Sequence, residues 1–90
     1  MTGRITAIHE VKMGNGAFFQ RVIFDIQGKW AKTDVCPNFS NYKFWDGKLK
    51  IGNVLDNLQY RDDQTINADV APVFLRFEAP PQPPQMTLFD

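Results

Sequence analysis

The chain has 90 residues, with ten Lys or Arg balanced by ten Asp or Glu, one His and one Cys. That length supports one small domain with one core, and a single Cys excludes an internal disulfide and fits a reducing cytoplasm. No apolar run approaches the roughly 20 residues of a membrane span and no signal-peptide pattern opens the chain, so a cytoplasmic protein with no membrane contact is expected.

Gly3 to Lys12 predicts a first strand. Ile5, Ile8 and Val11 recur every three residues. A β-bulge near Thr6–Ala7 is expected to bring all three to one face, and the Thr, Ile and Val content favours strand over helix. Met13-Gly14-Asn15-Gly16 is a turn, since Asn-Gly tolerates positive φ. Ala17 to Cys36 then reads as a hairpin with its turn at Gln27, Gly28 and Lys29. Phe18, Val22, Phe24 and Ile26 share one parity with each other, and Ala31, Thr33 and Val35 form the matching apolar face of the second strand. The opposite parity carries Phe19, Arg21, Ile23 and Asp25, then Trp30, Lys32 and Asp34.

Pro37 ends the third strand. Phe39, Tyr42 and Trp45 follow at helical spacing, which predicts a short helix, or one or two turns, with Asn38 as its cap and the three aromatics plugging one end of a barrel. Asp46-Gly47 is a turn signal. Lys48 to Arg61 supplies a fourth strand, most regular from Asn53 onward, with a kink at Gly52. Asp62-Asp63-Gln64 is the next turn, and Thr65 to Phe77 a fifth extended segment that Pro72 interrupts. Residues 1–78 are therefore assigned to the barrel. From Ala79 the sequence APPQPPQMTLFD predicts a proline-rich, extended arm, residues 79–90, ending in two bulky apolar residues.

Three strands, a short helix and two strands is the order of an OB-fold, an all-β, five-stranded Greek-key barrel; a small SH3-like barrel is the runner-up. GRITAIHEVKMGNGAFFQRVIFDI resembles the opening strands of OB domains of the anticodon-binding and replicative-polymerase kind: a Gly-x-Ile strand, a Gly-containing turn and an aromatic-rich second strand. The resemblance spans Thr2 to Ala71. It implies binding of single-stranded nucleic acid on the face of strands two and three, DNA first, with RNA also compatible.

That is the face expected to carry Phe19, Arg21, Trp30 and Lys32. Flat rings suit stacked bases and the cations suit phosphates. Lys12 and Lys29, in or beside the flanking loops, would extend the track. Zero net charge argues against a nucleic-acid binder, but Met1 to Lys50 holds eight of the ten cations and only four of the ten acids. Such asymmetry creates a basic face if the two halves of the chain do not interleave.

No triad spacing, HExxH, CxxC or phosphate loop is present, so no enzyme and no cofactor is expected. His9 has no partner set, and Cys36 reads as a small buried hydrophobe. Asp62 and Asp63, with Asp56 and Asp69, could hold a divalent cation, but a turn between strands explains the Asp62-Asp63 pair, so no metal site is expected.

The C-terminal Gln85-Met86-Thr87-Leu88-Phe89 resembles the bacterial sliding-clamp-binding motif, with Gln85, Leu88 and Phe89 at the family's key positions, Thr87 where Ser or Asp is commoner and Met86 in place of a usual Leu. The resemblance implies that Leu88 and Phe89 fill an apolar pocket on a clamp or another replication protein while Gln85 hydrogen-bonds beside it. Two other readings stand: Leu88 and Phe89 fold back on the barrel, or the tail acts like the more acidic tails of bacterial single-stranded-DNA-binding proteins. Taken together, these features predict a bacterial, plasmid or phage replication or repair accessory protein. The alternative is an adaptor or inhibitor that binds only proteins. Edge strands and the aromatic excess are compatible with a homodimer.

Overall fold

The register of the central hairpin follows from its turn. In the computed structural model, which describes residues 1–79, strands β2 (Phe18–Ile26) and β3 (Lys29–Val35) are joined by Gln27 and Gly28 alone. Both have positive φ, 54° and 81°, the conformation that matches the twist of paired strands and that Gly adopts without a steric cost. The Gly28 N–H donates to Asp25 Oδ1 at 2.9 Å. Lys29 therefore opens β3 instead of closing the turn, and every later pair is set: Ile26 with Lys29, Phe24 with Ala31, Val22 with Thr33.

The parity prediction holds for most of the hairpin. Val22, Phe24, Ala31 and Val35 are fully buried, and Ile26 nearly so. Phe18 departs from it. It shares their parity but is 52% exposed, because β2 outruns the core at the end where it pairs with Lys12.

Strand β1 (Gly3–Lys12) carries the expected bulge, between Ile5 and Ala7. The extra residue puts Ile5, opposite Phe24, and Ile8, opposite Val22, on the core face. Val11 does not join them. Alternation resumes after one bulge, so Val11 lies opposite Phe19 on the outer face. The bend lets β1 pair with β2 along its length and with β4 (Asn53–Asp56) at Gly3 and Arg4.

Between β3 and β4 the expected helix is a single 3-10 turn, Ser40–Phe44. Its cap position is Phe39, without a side-chain cap hydrogen bond, so Asn38 is not the cap. Trp45, just after it, is fully buried, its ring centroid 6.3 Å from that of Phe24. Its Nε1–H donates to the Ala68 carbonyl at 2.9 Å, satisfying the one polar group that burial of an indole would otherwise leave unpaired. Tyr42 packs partly buried against the same core, whereas Phe39 is 59% exposed and takes no part in the plug. The Lys48 ammonium donates to the carbonyls of Phe44 and Pro72, at 3.0 and 2.8 Å, and so tethers the turn to a distant loop.

The described residues are all-β, a curled half-barrel sheet of seven strands, not five, in the order β5-β6-β3-β2-β1-β4-β7. The extra strands arise because both late segments break. The first divides at Asn57, held at φ 62°, into β4 and β5 (Tyr60–Asp62). The second divides at the loop ending in Pro72, giving β6 (Thr65–Ile66) and β7 (Val73–Phe77). A proline supplies no N–H for a ladder, so the break falls where the chain cannot pair. β6 meets β3 in parallel at Lys32 and Thr65, and the buried Thr33 hydroxyl donates to the Ile66 carbonyl at 3.0 Å, tying the two strands together on the core side.

Gly52 kinks the chain at φ 101° before β4. A Cβ there would lie 2.5 Å from Phe77 Cε2 and 2.7 Å from the Glu78 carbonyl oxygen. Since the Glu78 N–H donates to the Gly52 carbonyl at 2.7 Å, the clash falls on the pairing of β7 itself. Gly52→Ala is expected to destabilise the domain by about 2 kcal/mol or more, from strained backbone and overpacking together. Urea denaturation with an unchanged midpoint would contradict this account.

Candidate nucleic-acid interface

The outer face of β1, β2 and β3 is built by the hairpin register. Opposite residues of an antiparallel pair share a face, so Arg21 meets Asp34, Ile23 meets Lys32 and Asp25 meets Trp30. Phe19, Arg21, Trp30 and Lys32 are thus brought to one face, as the parity predicts. Trp30 is 52% exposed, near the hairpin turn. Phe19 sits at the other end, six residues along the strands, about 20 Å away at roughly 3.4 Å per residue. The Arg21 guanidinium carbon lies 5.5 Å from the Phe19 ring centroid, a cation stacked on a π face.

The cations of this face are not free. Arg21 grips Asp34 with two hydrogen bonds, Nε at 2.9 Å and Nη2 at 3.3 Å, and Lys32 lies 3.7 Å from the same carboxylate. Arg4 approaches Asp25 at 3.9 Å. Three cations and two acids share the sheet face, so the excess of cations in the first half of the chain is largely offset where it would matter.

Asp34 is the centre of this network. Partial burial alone would push its carboxyl up, but the Arg21 hydrogen bond and the Lys32 and Arg21 charges outweigh it and hold it below the usual carboxylate range. Arg21 is in turn held more firmly protonated by its bond to Asp34. A carboxylate whose folded value is depressed contributes stability above its unfolded value, about 4, and loses it as pH falls through the folded value. Stability is therefore expected to be level at neutral pH and to decline in acid, with Asp34→Asn flattening part of that decline. Urea midpoints measured across the acid range check it; an acid limb identical in the variant would show that the network contributes nothing.

Lys12 and Lys29 are placed elsewhere. Lys12 pairs with Phe18 and Lys29 with Ile26, both on core-face parity at opposite ends of the hairpin. Lys29 lines a separate cleft of about 250 Å³ with Met1, Ile26, Gln27 and Tyr60. The described residues thus bring four of the six predicted side chains together. Gln85, Leu88 and Phe89 lie outside the described residues.

The sequence reading missed residues at the Phe19 end. Met13, Phe39 and Cys36 join Phe19 and Asp34 around a mainly apolar cleft of about 210 Å³. Phe39 gains this position by following Pro37 in the turn that leaves β3. The spacing of Phe39, Tyr42 and Trp45 carries no sign that Phe39 precedes the 3-10 turn.

Comparison with protein-family models, curated proteins and solved structures gives no match for this chain. Among the described residues no three His, Cys, Asp or Glu side chains converge as a metal site would require, and no helix is long and apolar enough to cross a membrane. Asp56 accepts a hydrogen bond from the Thr2 hydroxyl and Asp69 one from the Asn41 side chain, so both carboxylates serve local structure.

Proposed function

We propose that this protein binds single-stranded nucleic acid, DNA first, across the outer face of β2 and β3, as an accessory protein of replication or repair with an OB-type barrel. The observation that carries the proposal is the half-exposed Trp30 sharing one sheet face with the Phe19–Arg21 stack. Both rings offer flat π faces beside cations, and aromatic platforms of this kind take bases without reading their edges. In support of the OB reading, β1 bends to pair with both β2 and β4, and β3 meets a late strand in parallel at Lys32 and Thr65, contacts in keeping with a partly open Greek-key barrel.

In this reading Arg21 and Lys32 exchange Asp34 for phosphates when the strand binds, which leaves a modest salt dependence and little sequence preference. The C-terminal peptide, through Gln85, Leu88 and Phe89, recruits the complex to a sliding clamp or another replication protein. The carboxylates facing each outer cation favour one competing reading, a protein-only adaptor.

Anisotropy titration of a fluorescent single-stranded DNA of about 20 nucleotides, at low and moderate salt, decides between them. Salt-sensitive binding with quenched tryptophan emission is the expected result. No binding at low salt would leave the adaptor as the better account.

A further inference from the structure

The sheet ends in two very different edges. β5, at one end, is three residues long, fully exposed and carries Arg61 and Asp62, followed by Asp63; short, charged edges of this kind resist pairing with other chains. β7, at the other end, has sequence VFLRF, and its four apolar residues, Val73, Phe74, Leu75 and Phe77, are each between 45% and 51% exposed. Among the described residues nothing pairs with its outer side.

The register with β4 shows what is uncovered. Phe74 lies opposite Leu55 and Phe77 opposite Asn53, on the face that holds the core, while Val73 and Arg76 lie on the other. The two phenylalanines continue the core face past the point where the half-barrel stops. A docked helix or a lipid surface would cover only one of these faces. A strand added at the edge satisfies the free backbone groups and brings side chains to both.

We propose that the β7 edge is the docking edge for a second copy of this chain, residues 75–79 of each copy pairing antiparallel about a two-fold axis at Phe77, so that Leu75 lies opposite Ala79 and the Leu75 and Phe77 end of the edge is covered. Charge selects the occupant and the register. With Phe77 opposite its own symmetry mate, Arg76 of each copy falls opposite Glu78 of the other, converting a local Arg76–Glu78 contact of 3.4 Å into two cross-strand pairs. Backbone direction agrees. The Glu78 N–H points inward to Gly52, so the N–H and C=O of Phe77, one residue earlier, point to the free edge. This inference does not depend on nucleic-acid binding.

Sedimentation velocity of the full chain, from low to high micromolar concentration, is expected to show a species of twice the 10.3 kDa chain mass. Arg76→Glu and Glu78→Arg, both at exposed positions, each place like charges opposite one another. Each is expected to weaken the dimer about tenfold, with the double exchange restoring it. A chain that stays monomeric throughout overturns the proposal. So does a dimer indifferent to both exchanges, or one lost instead on Leu88→Ser with Phe89→Ser, which would place the interface in the tail. A monomer that begins to dimerise only on those tail changes would mean that the tail covers β7, and overturns it equally.

Discussion

Trp45→Ala is expected to remove most of the stability of this domain. Trp45 is fully buried at the centre of the core, against Phe24 and beneath the 3-10 turn. Truncating a buried aromatic to Ala costs about 3–5 kcal/mol through lost burial and the cavity left behind. The Ala68 carbonyl, which accepts the indole N–H at 2.9 Å, loses its partner as well, worth about 1 kcal/mol more. A domain of this size has roughly 4–12 kcal/mol in total. The variant should therefore show a urea transition at a fraction of the wild-type midpoint, or none, by far-ultraviolet circular dichroism. Trp45→Phe keeps a ring in place and should fall between the two. A small shift for Trp45→Ala would mean that the half-barrel is held together without its plug, and that the core is centred elsewhere.

Trp45 is also a fair measure of what the sequence reveals. Its place in the core was legible because a large aromatic at helical spacing, after a proline-terminated strand, can fold back against the apolar face of the sheet. The same spacing placed Phe39 there too, and that was wrong, since the helical turn begins only after Phe39. Strict alternation made the core face of the hairpin readable at Val22, Phe24, Ala31 and Val35. It failed at Phe18, because parity says which side a residue takes and not whether the core extends that far. The bulge at Thr6 was readable from Ile5 and Ile8; Val11 would have needed a second one.

The electrostatics of the site were less accessible, though not hidden. Once the turn is reduced to Gln27 and Gly28, the residue numbers of each pair have a constant sum, and Arg21 opposite Asp34 follows at once. A three-residue turn that includes Lys29 blurs that register and leaves Arg21 and Lys32 looking like free cations. The break before β7 was readable at Pro72, which has no N–H to give a ladder, whereas the break between β4 and β5 was not. Asn57 takes positive φ where its side chain amide donates to the Ala71 carbonyl, at 2.9 Å, a contact made across the fold.

The double substitution Phe19→Ala with Trp30→Ala is expected to abolish oligonucleotide binding while leaving the domain folded. Each aromatic platform is worth about 1–3 kcal/mol per stacked base. Phe19 and Trp30 lie roughly 20 Å apart along the sheet, with no partner in common, so their losses should add. The combined loss is then about 2–6 kcal/mol, at least about 30-fold in affinity, with each single change accounting for its own share. Stability should barely move. Trp30 is half exposed and neither ring belongs to the core cluster around Phe24, Trp45 and Leu55. The test is to measure affinity and urea midpoint on the same preparations. Loss of binding at constant midpoint assigns the two rings to the ligand. Loss of both together assigns them to the fold, and retained affinity moves the site off this face. The Arg21–Asp34 network makes a further distinction. If it yields to phosphate on binding, the salt dependence that remains in the single Trp30→Ala variant should match that of the wild type, because removing a ring takes away stacking and leaves the ion exchange as it was.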